Sequence, residues 1–163
     1  MTLPRRVVEF VAALAWASQA AAAASVLDAQ TAWKIIEGCV AQSKTRNQSH
    51  AIAVYDAGGH AVALLRMDGN PPGVTDFAMQ KAEAVAAWHF ATAQMEQSAR
   101  ETPGFAHAPH VVTVAGGIPV FSSDGKDLIG AVGVSGEAPA DDVACAEAGV
   151  TAAGLSLSHK PGR

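Results

Sequence analysis

The chain has 163 residues, half of them apolar and 16% charged, which supplies one compact domain and rules out a disordered chain. Two cysteines exclude a multi-disulfide framework or a four-cysteine zinc site, and a net charge of −4 argues against a dedicated nucleic-acid binder. No apolar run reaches the roughly 20 residues that cross a bilayer.

Taken in chain order, Arg5 and Arg6 precede an apolar run over 7–17, then Ser18-Gln19-Ala20 and the alanines 21–24. Positive, apolar, then small is the order of a secretory signal peptide, although Glu9 interrupts the apolar part. The competing reading is an Ala-rich first helix, but alanines bury little and a better amphipathic pattern starts at Val26. The expected layout is a signal over 1–24 and one domain over 25–163. The domain is then periplasmic or secreted, without stable membrane insertion. In that oxidising setting Cys39 and Cys145 have two readings, a disulfide or two buried thiols, and spacing alone does not choose.

Residues 26–45 read as a helix with Ala29, Ala32, Trp33, Ile36, Val40 and Ala41 on one stripe, and Asp28 complements its dipole. His50 to Tyr55 and Ala61 to Met67 are β-type runs joined through Asp56-Ala57-Gly58-Gly59, a strong hairpin signal. Asp68 to Gly73 is a loop, and residues 74–100 return to helix. Val111 to Val114, Ile118 to Phe121 and Leu128 to Val134 are further β-type runs, and Asp141-Asp142 open a last helix running to about Leu157. Hairpins instead of βαβ crossovers predict an α+β sandwich with one antiparallel sheet flanked by helices.

The sparse charges direct the search for chemistry. The glycine-rich segments lack a P-loop lysine and dinucleotide context, so they read first as turns and close strand approaches; a lesser reading is an anion-meeting pocket at Ser135 and Gly136. Arg66 ends a strand beside Asp68, either as a structural ion pair or as a clamp for a carboxylate. On the middle helix, Phe77, Lys81, Ala84, Trp88, Thr92 and Met95 share one stripe, so an ammonium sits among aromatic and apolar neighbours. It either snorkels to water or meets a bound carboxylate. No histidine has zinc-type spacing, and Ser135 has no evident triad partner. The residues point to an aromatic, cationic pocket for an apolar ligand that carries carboxylates.

An ordered set of segments also carries a resemblance. Ala53-Val54-Tyr55-Asp56-Ala57-Gly58-Gly59-His60, Arg66-Met67-Asp68-Gly69, Lys81-Ala82, Gly116-Gly117-Ile118-Pro119-Val120, Asp124-Gly125, residues 129–136 and Asp141-Asp142 together resemble the GlcG/HbpS-like haem-binding and haem-degrading family. The C-terminal domain of PduO-type proteins belongs to the same group. The resemblance spans about Val26 to Leu157. It implies a profilin-like sandwich with about five strands, a homo-oligomer, and binding of haem, with iron or a corrinoid as alternatives. For exported members it also implies haem sensing or detoxification beside a membrane sensor partner.

The resemblance places Lys81, Trp88 and Thr92 on the pocket helix and links Thr92 to haem iron. This chain departs from the pattern at Ala84 and Ala91, where the family often has threonine and proline. His89, one turn before Thr92, is the better iron ligand by type. The resulting expectation has haem beside the Phe77–Met95 stripe, stacked on Trp88, with Lys81 and Arg66 at its propionates and His89 or Thr92 at the metal. Haem breakdown would then be a slow reaction of bound haem with peroxide, and no catalytic residue is assigned. Two other classes stay open. One is a small enzyme on a carboxylic or hydroxy acid, with Arg66 as clamp and Asp68 or His60 as acid/base. The other is an interaction partner of another exported protein.

Overall fold

A computed structural model describes residues 26–161; the expected signal over 1–24 lies outside the described residues. The elements are α1 (Ala29–Thr45), β1 (Ala51–Asp56), β2 (Ala61–Arg66), α2 (Pro72–Trp88), α3 (Thr92–Glu101), a short 3-10 turn (Phe105–His107), β3 (Gly117–Phe121), β4 (Leu128–Ser135) and α4 (Pro139–Ala152). The strands form one antiparallel sheet in the order β2-β1-β4-β3. The fold is therefore α+β as expected, with four strands where about five were anticipated. The missing strand is Val111 to Val114: the segment runs without a sheet partner until the Gly116 carbonyl accepts from Val134 N–H at 2.9 Å.

Strand β1 is central and covered on both faces. Ile52 and Val54 join α1 and α4 in the larger core, which also takes Ile35, Ile36, Val132, Val134 and Val150. Ala51, Ala53 and Tyr55 face α2 with Ala78, Ala82 and Val85. The second face is built from small residues, so α2 lies close to the sheet. Gly133 sets that spacing, since a side chain there would run into the Ala78 carbonyl and the Ala82 backbone.

Helix α1 starts at Asp28, whose carboxylate accepts the Thr31 N–H at 2.7 Å as an N-cap. Its buried side is Ala32, Ile35, Ile36, Cys39 and Ser43, and Trp33, expected on the buried stripe, is 48% exposed. The packed face is rotated toward Ile35 because α4 lies on that side, where Cys39 and Cys145 form a disulfide between the two helices.

The expected helix over 74–100 is broken into two. Trp88 ends α2, His89 adopts a left-handed conformation (φ 64°, ψ 17°), and Ala91 is extended before Thr92 opens α3. Weak helix formers occupy 88–90, and Trp88 packs edge-on against both Phe90 and Phe105 while its Nε1–H donates to the Pro109 carbonyl. Aromatic packing against the 105–109 connector thus outweighs one more turn of helix. Helix α4 is also shorter than expected: Gly154 turns at φ 74°, and the chain returns so that Ser156 exchanges two backbone bonds with Phe121.

Candidate functional site

The Lys81 ammonium is buried. It donates to Asp142 Oδ2 at 2.9 Å and to the Val134 carbonyl at 2.8 Å, and lies 4.8 Å from the centre of the Phe77 ring. From Asp142 a polar line continues through the interior. Asp142 Oδ1 is 3.7 Å from His50 Nε2, His50 Nδ1 is 2.9 Å from Ser43 Oγ, and Ser43 Oγ donates to the Cys39 carbonyl. All four side chains are shielded from water. Helix α2 and helix α4 cover opposite faces of the sheet, so the Lys81–Asp142 bond ties the two layers together around the sheet's end.

Burial pushes the Lys81 ammonium below its ordinary range and the Asp142 carboxyl above its own, while their shared hydrogen bond opposes both shifts. Burial likewise lowers His50, against the pull of Asp142, Glu137 and Asp141. An ion pair of this kind costs desolvation on both sides and adds little net stability, but losing one partner is expensive. Asp142 and His50 were not singled out by sequence. The Asp141-Asp142 pair read as a helix opening, and nothing local signals a lysine 61 positions earlier.

The other anticipated residues are spread over several places. Arg66 is exposed, with Nη1 donating to the Asn70 carbonyl at 2.9 Å, and the neighbouring Asp68 carbonyl accepts from Ser49 Oγ at 2.7 Å. His60 is exposed beside Asp56 at the hairpin tip, away from Arg66 at the strand's other end. Ser135 is buried at the end of β4 opposite Ala51. Thr92 is buried, and its Oγ1 accepts the Gly117 N–H at 3.0 Å. Phe77 and Trp88 are half-buried, the latter inside the aromatic cluster described above. The structure joins Phe77 to Lys81 and Thr92 to β3, and leaves Arg66 and Asp68 on a separate rim.

His89 differs from all of these. The left-handed turn at the α2–α3 break leaves it exposed at the edge of a groove of about 550 Å³. Phe90, Ile118, Pro119, Phe121 and Leu157 supply apolar walls, Gln94, Glu147 and Ser158 supply polar atoms, and His159 brings a second imidazole. The His159 ring lies 5.9 Å from the Phe121 ring, on the returning segment held by the Ser156–Phe121 bonds and by Lys160 N–H donating to Gly125 O at 2.8 Å. A volume in this range, with apolar walls and few polar groups, suits a small organic ligand. Leu157 was expected at the end of the last helix and His159 carried no sequence signal; both reach the groove only through the turn at Gly154.

Among the described residues no cluster of three or more His, Cys, Asp or Glu has metal-holding geometry. Iron held at His89 therefore needs a ligand set that arrives with the metal, as the four nitrogens of a porphyrin do. Among the same residues no helix is long and apolar enough to cross a membrane.

Comparison with known proteins agrees with this architecture. The family described as haem degrading protein HbpS-like matches residues 27–151. Protein GlcG of Escherichia coli K12 is 37% identical over 111 residues, which cover 68% of this chain and 81% of GlcG. Among solved structures, a PduOC–haem complex superposes with a TM-score of 0.74 at 21% identity, covering 83% of this chain and all of that one. A double mutant of HbpS from Streptomyces reticuli superposes at 0.71 with 23% identity, covering 92% and 97%. At those identities the structures speak for the fold, while the family match and GlcG speak for descent. The chain belongs to the HbpS-like family of haem degrading proteins.

Proposed function

We propose that this protein is an exported haem-binding protein that holds haem in the groove at the α2–α3 break, with His89 as the iron ligand. The observation that carries the reading is His89 itself, an exposed imidazole presented by a left-handed turn at the mouth of an apolar groove. The haem-degrading description of the family and the haem bound by PduOC support the choice of ligand. Bound haem supplies a redox-active iron, and the chain supplies its position. Phe90, Phe121 and Leu157 would offer the bound macrocycle apolar surface and limit its contact with water. Thr92 and Lys81 act from beneath: Thr92 fixes β3 through Gly117, and Lys81 fixes α2 through Asp142.

Export is supported by the buried Cys39–Cys145 disulfide, since such bonds persist in oxidising compartments. It also agrees with the arginine-led apolar segment at the start of the chain.

Titrating haemin into the purified protein tests the ligand. The expected result is a Soret band displaced from that of free haemin, saturating near one haem per chain. His89→Ala is expected to weaken binding at least about tenfold, the loss of about 1.4 kcal/mol, and to move the band. An unchanged spectrum and affinity in His89→Ala contradicts the ligand assignment, and no displaced band in the unmodified protein contradicts haem binding.

A further inference from the structure

The buried polar line that starts at Lys81 and Asp142 ends on the disulfide. Ser43 Oγ lies 3.2 Å from Cys145 Sγ, and the same sulfur is 3.4 Å from the Cys39 carbonyl. The Ser43 hydroxyl has one proton and two acceptors in reach, the Cys39 carbonyl at 2.8 Å and His50 Nδ1 at 2.9 Å. Beyond the ring, Asp142 Oδ1 faces Nε2 at 3.7 Å, and Nε2 has no hydrogen bond among the described residues. Hydroxyl, imidazole and carboxylate stand in the order that moves a proton away from a nucleophile, and the atom in front of the hydroxyl is sulfur.

Packing accounts for Ser43, whose hydroxyl is satisfied by the carbonyl one turn back on its own helix. It does not account for His50, a buried ring with an unpartnered nitrogen, which carries a desolvation cost. The charged groups that face His50 are Asp142 and Asp141 of α4, Glu137 just before α4, and Lys81 of α2; Asp141 also pairs with Arg46 at 3.0 Å. From α1 it meets Ser43. Burial keeps the ring neutral, while three carboxylates against one ammonium favour the cation once a proton arrives. A temporary proton acceptor needs both properties.

We propose that Ser43 and His50 take the proton of Cys145 when the disulfide closes, which makes Cys145 the attacking thiolate. The oxidant is a small external disulfide. It first exchanges with the Cys39 thiol, leaving a mixed disulfide on Cys39 and releasing one external thiol. Both sulfurs are buried, so this exchange needs α1 and α4 to part, and their return sets Cys145 beside Ser43 again. The Cys145 proton passes to Ser43 Oγ as the Ser43 proton passes to His50 Nδ1. The Cys145 thiolate attacks Cys39 Sγ, the Cys39–Cys145 bond forms, and the bond to the external sulfur breaks with its electron pair on the leaving thiolate. The two cysteines lose two electrons and the external disulfide gains them. The assignment is independent of the haem groove.

Timing closure in the reduced, full-length folded protein tests it. Dithiothreitol is removed, circular dichroism checks that the fold is retained, oxidised glutathione is added, and acid-quenched samples are weighed to follow the mixed disulfide as it closes. Ser43→Ala and His50→Gln are expected to slow closure at least about tenfold at pH 6, and less than about threefold at pH 9, where the thiolate forms without help. In the unmodified protein the rate levels off as pH falls below 7, whereas in both variants it keeps falling about tenfold per pH unit with the thiolate population. A merely structural role slows, or speeds, closure by the same factor at both pH values, and that result overturns the proposal. So do variants that close as fast as the unmodified protein, a reduced protein that has lost its fold, and a reduced protein that never closes.

Discussion

The imidazole of His50 sits in the dry interior with Ser43 Oγ 2.9 Å from one nitrogen and the Asp142 carboxylate 3.7 Å from the other. Burial holds its folded-state value below the ordinary 6.5, because water that would solvate the cation is absent. Asp142, Glu137 and Asp141 favour the cation and Lys81 opposes it, but desolvation is the largest influence. The folded state thus binds the proton more weakly than the unfolded chain does. The stability this group contributes is complete above pH 6.5 and is lost as pH falls through the folded value. Denaturant melts between pH 7 and 5 are expected to show falling stability, at up to about 1.4 kcal/mol per pH unit for this one proton, and His50→Gln is expected to flatten that slope. An equal slope in the variant assigns the effect to other groups. Lys81 shows what could be read at this scale from sequence. Helical spacing puts it among apolar neighbours and leaves open whether it snorkels to water or meets a bound carboxylate; the carboxylate that meets it comes from α4 of the same chain, and spacing along one helix says nothing about a group 61 positions away.

At the scale of elements, the disulfide and the helix break organise the molecule. The Cys39–Cys145 bond closes 106 positions of chain, and loops of that order lose about 4–5 kcal/mol of unfolded-state entropy in the simplest treatment. Reduction, or paired serine substitution, is expected to lower stability by about 2–5 kcal/mol, and the untreated protein is expected to show no free thiol when unfolded. Two reactive thiols in that assay contradict the bond. Sequence left the pairing open, because only the packing of α1 on α4 brings the two Cα atoms to 4.5 Å. The hairpin of β1 and β2 was legible from its glycine turn, and the reading of the 130–136 glycines as close strand approaches holds at Gly130, where a side chain would run into the Tyr55 carbonyl of β1. The end of α2 was not legible. Its cause is the packing of Trp88 on Phe90 and Phe105, a contact made across the connector and invisible to periodicity. That break presents His89, so the miss in the helix and the miss in the pocket have one origin.

For the molecule as a whole, β-type runs joined by hairpin signals instead of βαβ crossovers were enough for the α+β class and the antiparallel sheet. They could not report the return of the C-terminal segment onto β3, which completes the groove with Leu157 and His159. Nor could they show that the Phe77–Met95 stripe packs inward, Lys81 on Asp142 and Thr92 on Gly117, while the open space lies at the α2–α3 break, beside His89. The central claim is therefore about location: haem occupies the groove at the α2–α3 break. Amide NMR of the isotope-labelled protein, with substoichiometric ferric haem as a paramagnetic probe, measures that location residue by residue. The account predicts strongest broadening at residues 89–94, 118–121 and 157–159. Broadening centred on the Arg66–Asn70 rim or on Trp33 of α1, with those three segments unchanged, would contradict it.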